Sequence, residues 1–345
     1  MKTRPLKNYG ASVGVEVYDV DLENQEELQE LGRLAADQCI VFWNQRISTE
    51  KLYEIQSQWG SPARAIIHNY VLGKKIHGRH WRELFVNMGY ISKEIDPTMS
   101  DSVVQVSYLR DEQNRPKGLF AQGELDWHCD QVSIDDAPRM IGLQSVSDTV
   151  NSQTQFLCTY DAWESLNSEM QSVVKELTMV HRWREGHEGL APGLDHAQTL
   201  IAKYNNVPLD GLETKVYTKT ATGRPGMKLS IHGFDGFVGM STEESRRLFM
   251  ELWNTAMNEK HVYTQNWQDG QIVFMDQEIT LHKRPTNIQQ GNKRKMTRVT
   301  TFLDKLYPQH RPHNYVRFKG QLLTHDEFAV FVDEDRKSSY NESLV

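Results

Sequence analysis

The chain has 345 residues, a net charge of −7 and 38% hydrophobic residues. That acidic balance argues against a general binder of nucleic acid or anionic membranes, whose contacts need a basic face. No stretch approaches the apolar length of a membrane span, and the N-terminus lacks the apolar core of a secretion signal, so a cytoplasmic protein is expected.

Along the chain, residues 24–38 carry Leu28, Leu31, Leu34 and Ala35 at helical spacing, and Asn24 three residues ahead of Glu27 suits a capped start. Residues 49–59 read as a second helix. Short apolar or alternating runs at 103–108 and 139–146 read as strands. Residues 159–177 hold one or two helices, with Met170, Val173, Val174 and Leu177 on one stripe. Residues 242–259 have the clearest helical pattern: Ser241 and Glu244 form a capping box, and Leu248, Leu252 and Ala256 recur every four residues. Further strands are expected at 228–232, 271–275 and 297–303. Two stretches read as lid insertions. The first, 66–101, is rich in cations (Lys74, Lys75, Arg79, Arg82); the second, 183–226, is rich in glycine and poor in periodicity. Residues 334–345 form a polar tail, so the expectation is a single domain over 1–333, mainly β with flanking helices.

The residues that carry chemistry lie in Trp127-His128-Cys129-Asp130 and in Thr280-Leu281-His282-Lys283-Arg284. On an extended strand His128 and Asp130 leave the same face, with Cys129 turned away. Two imidazoles and one carboxylate would give a divalent metal three protein ligands and leave half of an octahedron open, the donor set of non-haem Fe(II) oxygenases. Past His282, the run Gly291-Asn292-Lys293-Arg294-Lys295-Met296-Thr297-Arg298 looks like a loop turning into a strand, with Arg294, Met296 and Arg298 on one face. A guanidinium there suits bidentate pairing with a carboxylate, which is what a 2-oxoglutarate co-substrate requires beside an open metal.

With these motifs in place, the chain resembles the taurine dioxygenase branch of the Fe(II)- and 2-oxoglutarate-dependent dioxygenases over nearly its whole length. Gly10-Ala11-Ser12-Val13-Gly14-Val15-Glu16-Val17, Ile40-Val41-Phe42-Trp43 and Gly270-Gln271-Ile272-Val273-Phe274-Met275-Asp276 are similar to family strands. The spacing between the two histidines, and from His282 to Arg294, is that of the family. Asn151-Ser152-Gln153-Thr154 matches the stretch where the family usually has Gly-Gly-Asp-Thr; Ser152 and Gln153 depart from it and Thr154 is retained.

The resemblance implies a double-stranded β-helix, a distorted jelly roll, with the metal in its mouth. It implies Fe(II) on His128, Asp130 and His282, 2-oxoglutarate on Arg294 and Thr154, and O2 as the oxidant. It also implies hydroxylation of a small polar substrate, and an aspartate at 130 disfavours halogenation. Arg298 matches the arginine that binds the substrate's anionic end in sulfonate-oxidising relatives. Glu124 and Phe234 are further candidates to line the substrate site, and Glu124 with Arg298 hints at a zwitterion such as an amino acid. The same machinery giving desaturation, cyclisation or carbon–heteroatom cleavage remains an alternative, as does a silent β-helix that only binds a ligand. Self-association is a further expectation from the resemblance. Cys39, Cys129 and Cys158 show no zinc-type spacing, and a reducing compartment is the simplest reading of them.

Overall fold

The computed structural model describes residues 1–8, 11–63, 92–94, 102–120, 125–130, 139–181, 212–231, 234–285, 293–310, 315–318 and 321–324. In chain order the strands begin with β1 (Lys2–Asn8), β2 (Ala11–Tyr18), β3 (Ile40–Trp43), β4 (Val103–Ser107) and β5 (Leu125–His128). They continue with β6 (Met140–Val150), β7 (Gln153–Cys158), β8 (Thr178–His181), β9 (Leu212–Lys215), β10 (Tyr217–Lys219), β11 (Pro225–Met227) and β12 (Phe234–Phe237). The last are β13 (Val262–Asn266), β14 (Ile272–Asp276), β15 (Thr280–Arg284), β16 (Lys293–Thr301), β17 (Tyr315–Phe318) and β18 (Gln321–Thr324). The helices are α1 (Gln25–Ala35), α2 (Thr49–Trp59), α3 (Thr159–Glu164), α4 (Ser168–Glu176) and α5 (Thr242–Ala256). The molecule is mainly β with few helices, as its composition of short alternating runs leads one to expect.

Two sheets matter for the site. The larger has seven strands in the order β1-β2-β3-β14-β6-β16-β4, and the smaller has four in the order β13-β7-β15-β5. Helices α1 and α2 cover the outer face of the large sheet. Leu28, Leu31 and Ala35 from α1, and Leu52, Ile55 and Trp59 from α2, form one buried cluster with Val41, Trp43, Ile272, Phe274 and Val299. Trp59 anchors it: its indole N–H donates to the Leu28 carbonyl at 2.8 Å and its ring meets Phe274 edge-on at 4.9 Å. Removing so large a buried side chain costs about 3–5 kcal/mol. Gly32 permits the approach, since a Cβ there would lie 2.6 Å from the Trp59 ring. Helices α3, α4 and α5 cover the outer face of the small sheet, where Trp127, Cys129, Leu157 and Leu281 pack on Ala162, Trp163, Val174, Phe249 and Leu252.

Strand alternation then decides which side chains face inward. On β16 the Thr297 hydroxyl donates to Gln144, which is bonded in turn to the start of α2, so Thr297 and Val299 look outward and Arg298 looks in. On β15 Leu281 packs outward, so Thr280, His282 and Arg284 take the other face.

The helix boundaries follow their caps. Asn24 accepts from the N–H groups of Glu26 and Glu27, and Ser241 and Glu244 make the reciprocal capping box. Two sequence expectations change. Residues 228–231 are not a strand; the pairing lies just ahead, at β11 against β10, and its last in-register hydrogen bond runs from Lys228 N–H to the Val216 carbonyl. The end of the expected second lid, 212–226, forms β9, β10 and most of β11 in small sheets, while residues 182–211 lie outside the described residues. Of the first expected lid, only 92–94 are described. The 334–345 tail also falls outside them. Cys39, just ahead of β3 in one sheet, and Cys158, at the end of β7 in the other, form a disulfide, and Cys129 is free and buried. No helix among the described residues is long and apolar enough to cross a membrane.

Candidate metal centre

β5 and β15 run antiparallel with His282 directly opposite His128, which brings the two rings to 4.2 Å between centroids. Residues opposite each other in a ladder point to the same face. Asp130 follows two residues after His128, just past the strand end. One ligand atom from each of His128, Asp130 and His282 lies within 4.8 Å of the others. The Nε2 atoms of His128 and His282 stand 3.4 and 3.8 Å from the same Asp130 oxygen, Oδ1.

The nitrogens are sorted by their partners. His128 Nδ1 lies 2.5 Å from the Asp126 carbonyl, which only accepts, so Nδ1 carries the proton and Nε2 offers its lone pair inward. Burial pushes His282 down to about 3, with His128 and Arg298 adding to the shift and Asp130 opposing it, so this imidazole is neutral at pH 7. For Asp130 burial alone would raise the pKa, but Arg298 and the two histidines outweigh it and hold the carboxyl well below its usual range. Two imidazole nitrogens and an ionised carboxylate form a donor set that fits Fe(II).

The large sheet supplies guanidinium groups to the same space. Arg298 donates through Nη1 to Asp130 Oδ2, which leaves Oδ1 facing the histidines. Arg294 is only 3% exposed, and burial lowers its pKa to about 10, so it stays charged. Its guanidinium lies over the Tyr108 ring at 4.2 Å. Among the described residues no carboxylate pairs with it and its Nε has no hydrogen-bond partner. Buried charges without a partner are rare enough to point to an absent anion.

Thr154 lies on β7, on the face that Phe156 shares with His282, and accepts from the Trp267 indole at 2.9 Å, which leaves its hydroxyl proton free to donate inward. Phe234 is half-buried; it stacks on Phe249 at 4.3 Å and meets Phe237 edge-on at 5.3 Å, against the core outside the small sheet. Glu124 lies outside the described residues. The structure also adds residues that the sequence reading left unassigned: Tyr108 beneath Arg294, and Arg284, whose Nη1 donates to the Phe120 carbonyl at 2.5 Å. Phe120 holds a left-handed backbone, φ 53°, and its ring lies under Arg298. Arg284 carried a signal, standing two residues beyond His282 on one strand face. Tyr108 carried none.

Residues 2–300 match the family described as "Taurine catabolism dioxygenase TauD, TfdA family". The chain belongs to this family. Its members are α-ketoglutarate-dependent dioxygenases that use Fe(II), 2-oxoglutarate and O2, and this TauD/TfdA protein has a His–Asp–His cluster able to hold a metal ion. Among curated relatives, pentalenolactone F synthase of Streptomyces arenae is 24% identical over 200 residues, covering 56% of this chain and 67% of the relative. The (S)-phenoxypropionate/alpha-ketoglutarate-dioxygenase of Sphingobium herbicidovorans is 25% identical over 167 residues, covering 47% and 57%. In fold, this TauD/TfdA chain is similar to a Burkholderia xenovorans taurine dioxygenase (TM-score 0.59, 19% identity, 90% and 94% of the two chains). It is also similar to AAD-2, solved in complex with Mn(II) and N-oxalylglycine (TM-score 0.59, 16% identity, 87% and 96% of the two chains).

Proposed function

We propose that this protein hydroxylates a C–H bond of a small polar substrate, anionic or zwitterionic, in a reaction dependent on Fe(II), 2-oxoglutarate and O2. The observation that carries this reading is a three-ligand cluster within 4.8 Å, met by Arg298, with Arg294 on the same strand a buried cation that has no carboxylate partner among the described residues. His128, Asp130 and His282 hold the metal, the first two nitrogens and Asp130 Oδ1 being turned toward one another. Arg294 receives the far carboxylate of 2-oxoglutarate, and Thr154 donates its hydroxyl proton to the same molecule. Fe(II) held by these residues would supply oxidation of a substrate C–H bond by O2 coupled to loss of CO2 from 2-oxoglutarate, one oxygen atom going to the substrate hydroxyl and the other to succinate. The two sheets act as the walls of a jelly roll formed by one domain over 1–333, and by closing around the site they exclude water from it.

The anionic substrate class rests on charge. With Arg294 assigned to the co-substrate, the remaining cation is Arg298, which Asp130 meets through one N–H and whose Nε has no hydrogen-bond partner among the described residues. Arg298 keeps N–H groups beyond the one that meets Asp130, and these suit a carboxylate or sulfonate on the substrate. The test is anaerobic titration of the purified protein with Fe(II) and 2-oxoglutarate, following the weak visible charge-transfer band of the chelate. The band is expected in the native protein and should need roughly 30-fold or more 2-oxoglutarate in Arg294→Ala, as for a truncated buried charge pair. Metal bound without any band would sink the reading.

A further inference from the structure

Arg294 is held by more than its own strand. The Ser107 hydroxyl and the Tyr108 N–H both donate to the Arg294 carbonyl, at 3.1 and 3.2 Å. The Tyr108 ring then lies beneath the guanidinium of the same residue, at 4.2 Å. Tyr108 therefore grips Arg294 at both ends, by its backbone and by its charge. A second guanidinium, Arg284, approaches that ring at 5.3 Å. Arg284 is itself fixed, being 3% exposed and bonded to the Phe120 carbonyl at 2.5 Å. It stands on β15, two residues beyond His282 and on the same face.

We infer that Tyr108 is a positioning residue for the co-substrate, with Arg284 as its clamp. The stack Arg284–Tyr108–Arg294 joins the strand that carries His282 to the strand that carries the carboxylate-binding arginine. The negative face of a tyrosine ring attracts a cation, and the attraction grows where water is excluded. A long arginine side chain otherwise loses much rotamer freedom when a ligand fixes it. Stacked on Tyr108, Arg294 has met that cost before 2-oxoglutarate arrives, and its distance from the metal is set. Arg284 adds positive charge beside Arg294, which raises the pull on a carboxylate placed between them and the iron site.

This inference rests on the assignment of Arg294 to 2-oxoglutarate, so the experiment separates the two. Dissociation constants for the Fe(II) protein would be read anaerobically from the charge-transfer band, with two probes. One is 2-oxoglutarate; the other is 2-oxovalerate, which chelates through the same keto-acid group but has no far carboxylate. Tyr108→Leu should raise the constant for 2-oxoglutarate about 30-fold, the equivalent of a desolvated cation–π contact, and leave 2-oxovalerate and Fe(II) binding unchanged. Tyr108→Phe keeps the ring beneath Arg294 but removes the hydroxyl that Arg284 bonds, and should restore part of the affinity, leaving a loss no larger than that of Arg284→Met. Arg284→Met should act in the same direction, with a smaller loss for 2-oxoglutarate alone, and serves as the readout should Tyr108→Leu fail to fold. Equal weakening of both probes would mean general collapse of the site and overturn the inference. So would an unchanged constant in Tyr108→Leu alongside a raised one in Arg294→Ala, which leaves the parent reading standing. An unchanged constant in Arg294→Ala would remove both.

Discussion

Two groups of buried charges in this molecule are built on opposite plans. Beside the turn from β14 to β15, Lys228 meets Glu278 at 2.8 Å, Arg139 meets Asp276 at 3.3 Å, and the Thr218 hydroxyl donates to Glu278 at 2.5 Å. Each cation there has its anion. Burial would raise Glu278, yet Lys228 and Arg139 draw it down to about 2, so the Lys228–Glu278 pair stays ionised at neutral pH; at Asp276 burial outweighs Arg139 and raises the carboxyl. At the metal centre the pairing stops short: Asp130 answers Arg298, and no carboxylate among the described residues answers Arg294. Ion pairs that are complete inside the fold hold shape, while an excess of one sign keeps a place for something that comes from outside.

The sharpest way to break that contrast is to remove one cation from each group. Arg139→Met leaves Asp276 buried without its partner and should cost about 3–5 kcal/mol of stability. Arg294→Met removes a charge that the fold does not pair, so the ligand-free protein should lose less than about 1 kcal/mol or gain stability. Urea midpoints of the two variants decide the matter; equal losses would mean that Arg294 is structurally paired after all. A second test acts on the anion. Asp130→Ala should weaken Fe(II) binding by more than about 100-fold, given that even the outer partners of metal ligands are worth roughly 10- to 100-fold. Unchanged metal affinity in a calorimetric titration would take Asp130 out of the ligand set.

The smallest effect is in pH. His282 has a folded pKa near 3 against an ordinary value of 6.5, so between these limits the unfolded chain binds a proton that the folded, metal-free protein does not. Stability from this group is therefore complete above pH 6.5 and falls as the pH drops toward 3, by at most about 1.4 kcal/mol per unit. Metal-free His282→Gln should show a shallower loss than the native protein between pH 6.5 and 4. Parallel curves would mean that burial does not hold the imidazole neutral.

Much of the architecture was legible because it rests on local chemistry. Capping residues at Asn24 and Ser241, the apolar stripe of α1 and the alternating run that becomes β16 are all visible at short range. The strand expected at 228–232 lies instead at β11, because the partner it pairs with is β10 and no local pattern announces where that partner begins or ends. Phe234 shows the same limit. An aromatic beside Gly233 suits a pocket wall or a core equally well, and only the tertiary structure laid its ring on Phe249 of α5.

The sequence by itself determined the chemistry available: which residues are able to bind a metal, and that His128 and Asp130 share a face with one guanidinium-bearing strand still to come. A strand's period of two is a local property, so this needs no knowledge of the rest of the chain. Only the tertiary structure decided the partners. It set His282 opposite His128, turned Arg298 onto Asp130, joined Cys39 to Cys158, and slid the Tyr108 ring between Arg284 and Arg294. Those contacts join segments far apart in the chain. They depend on how two sheets and their helices close over a common interior, and no stretch of residues encodes that alone.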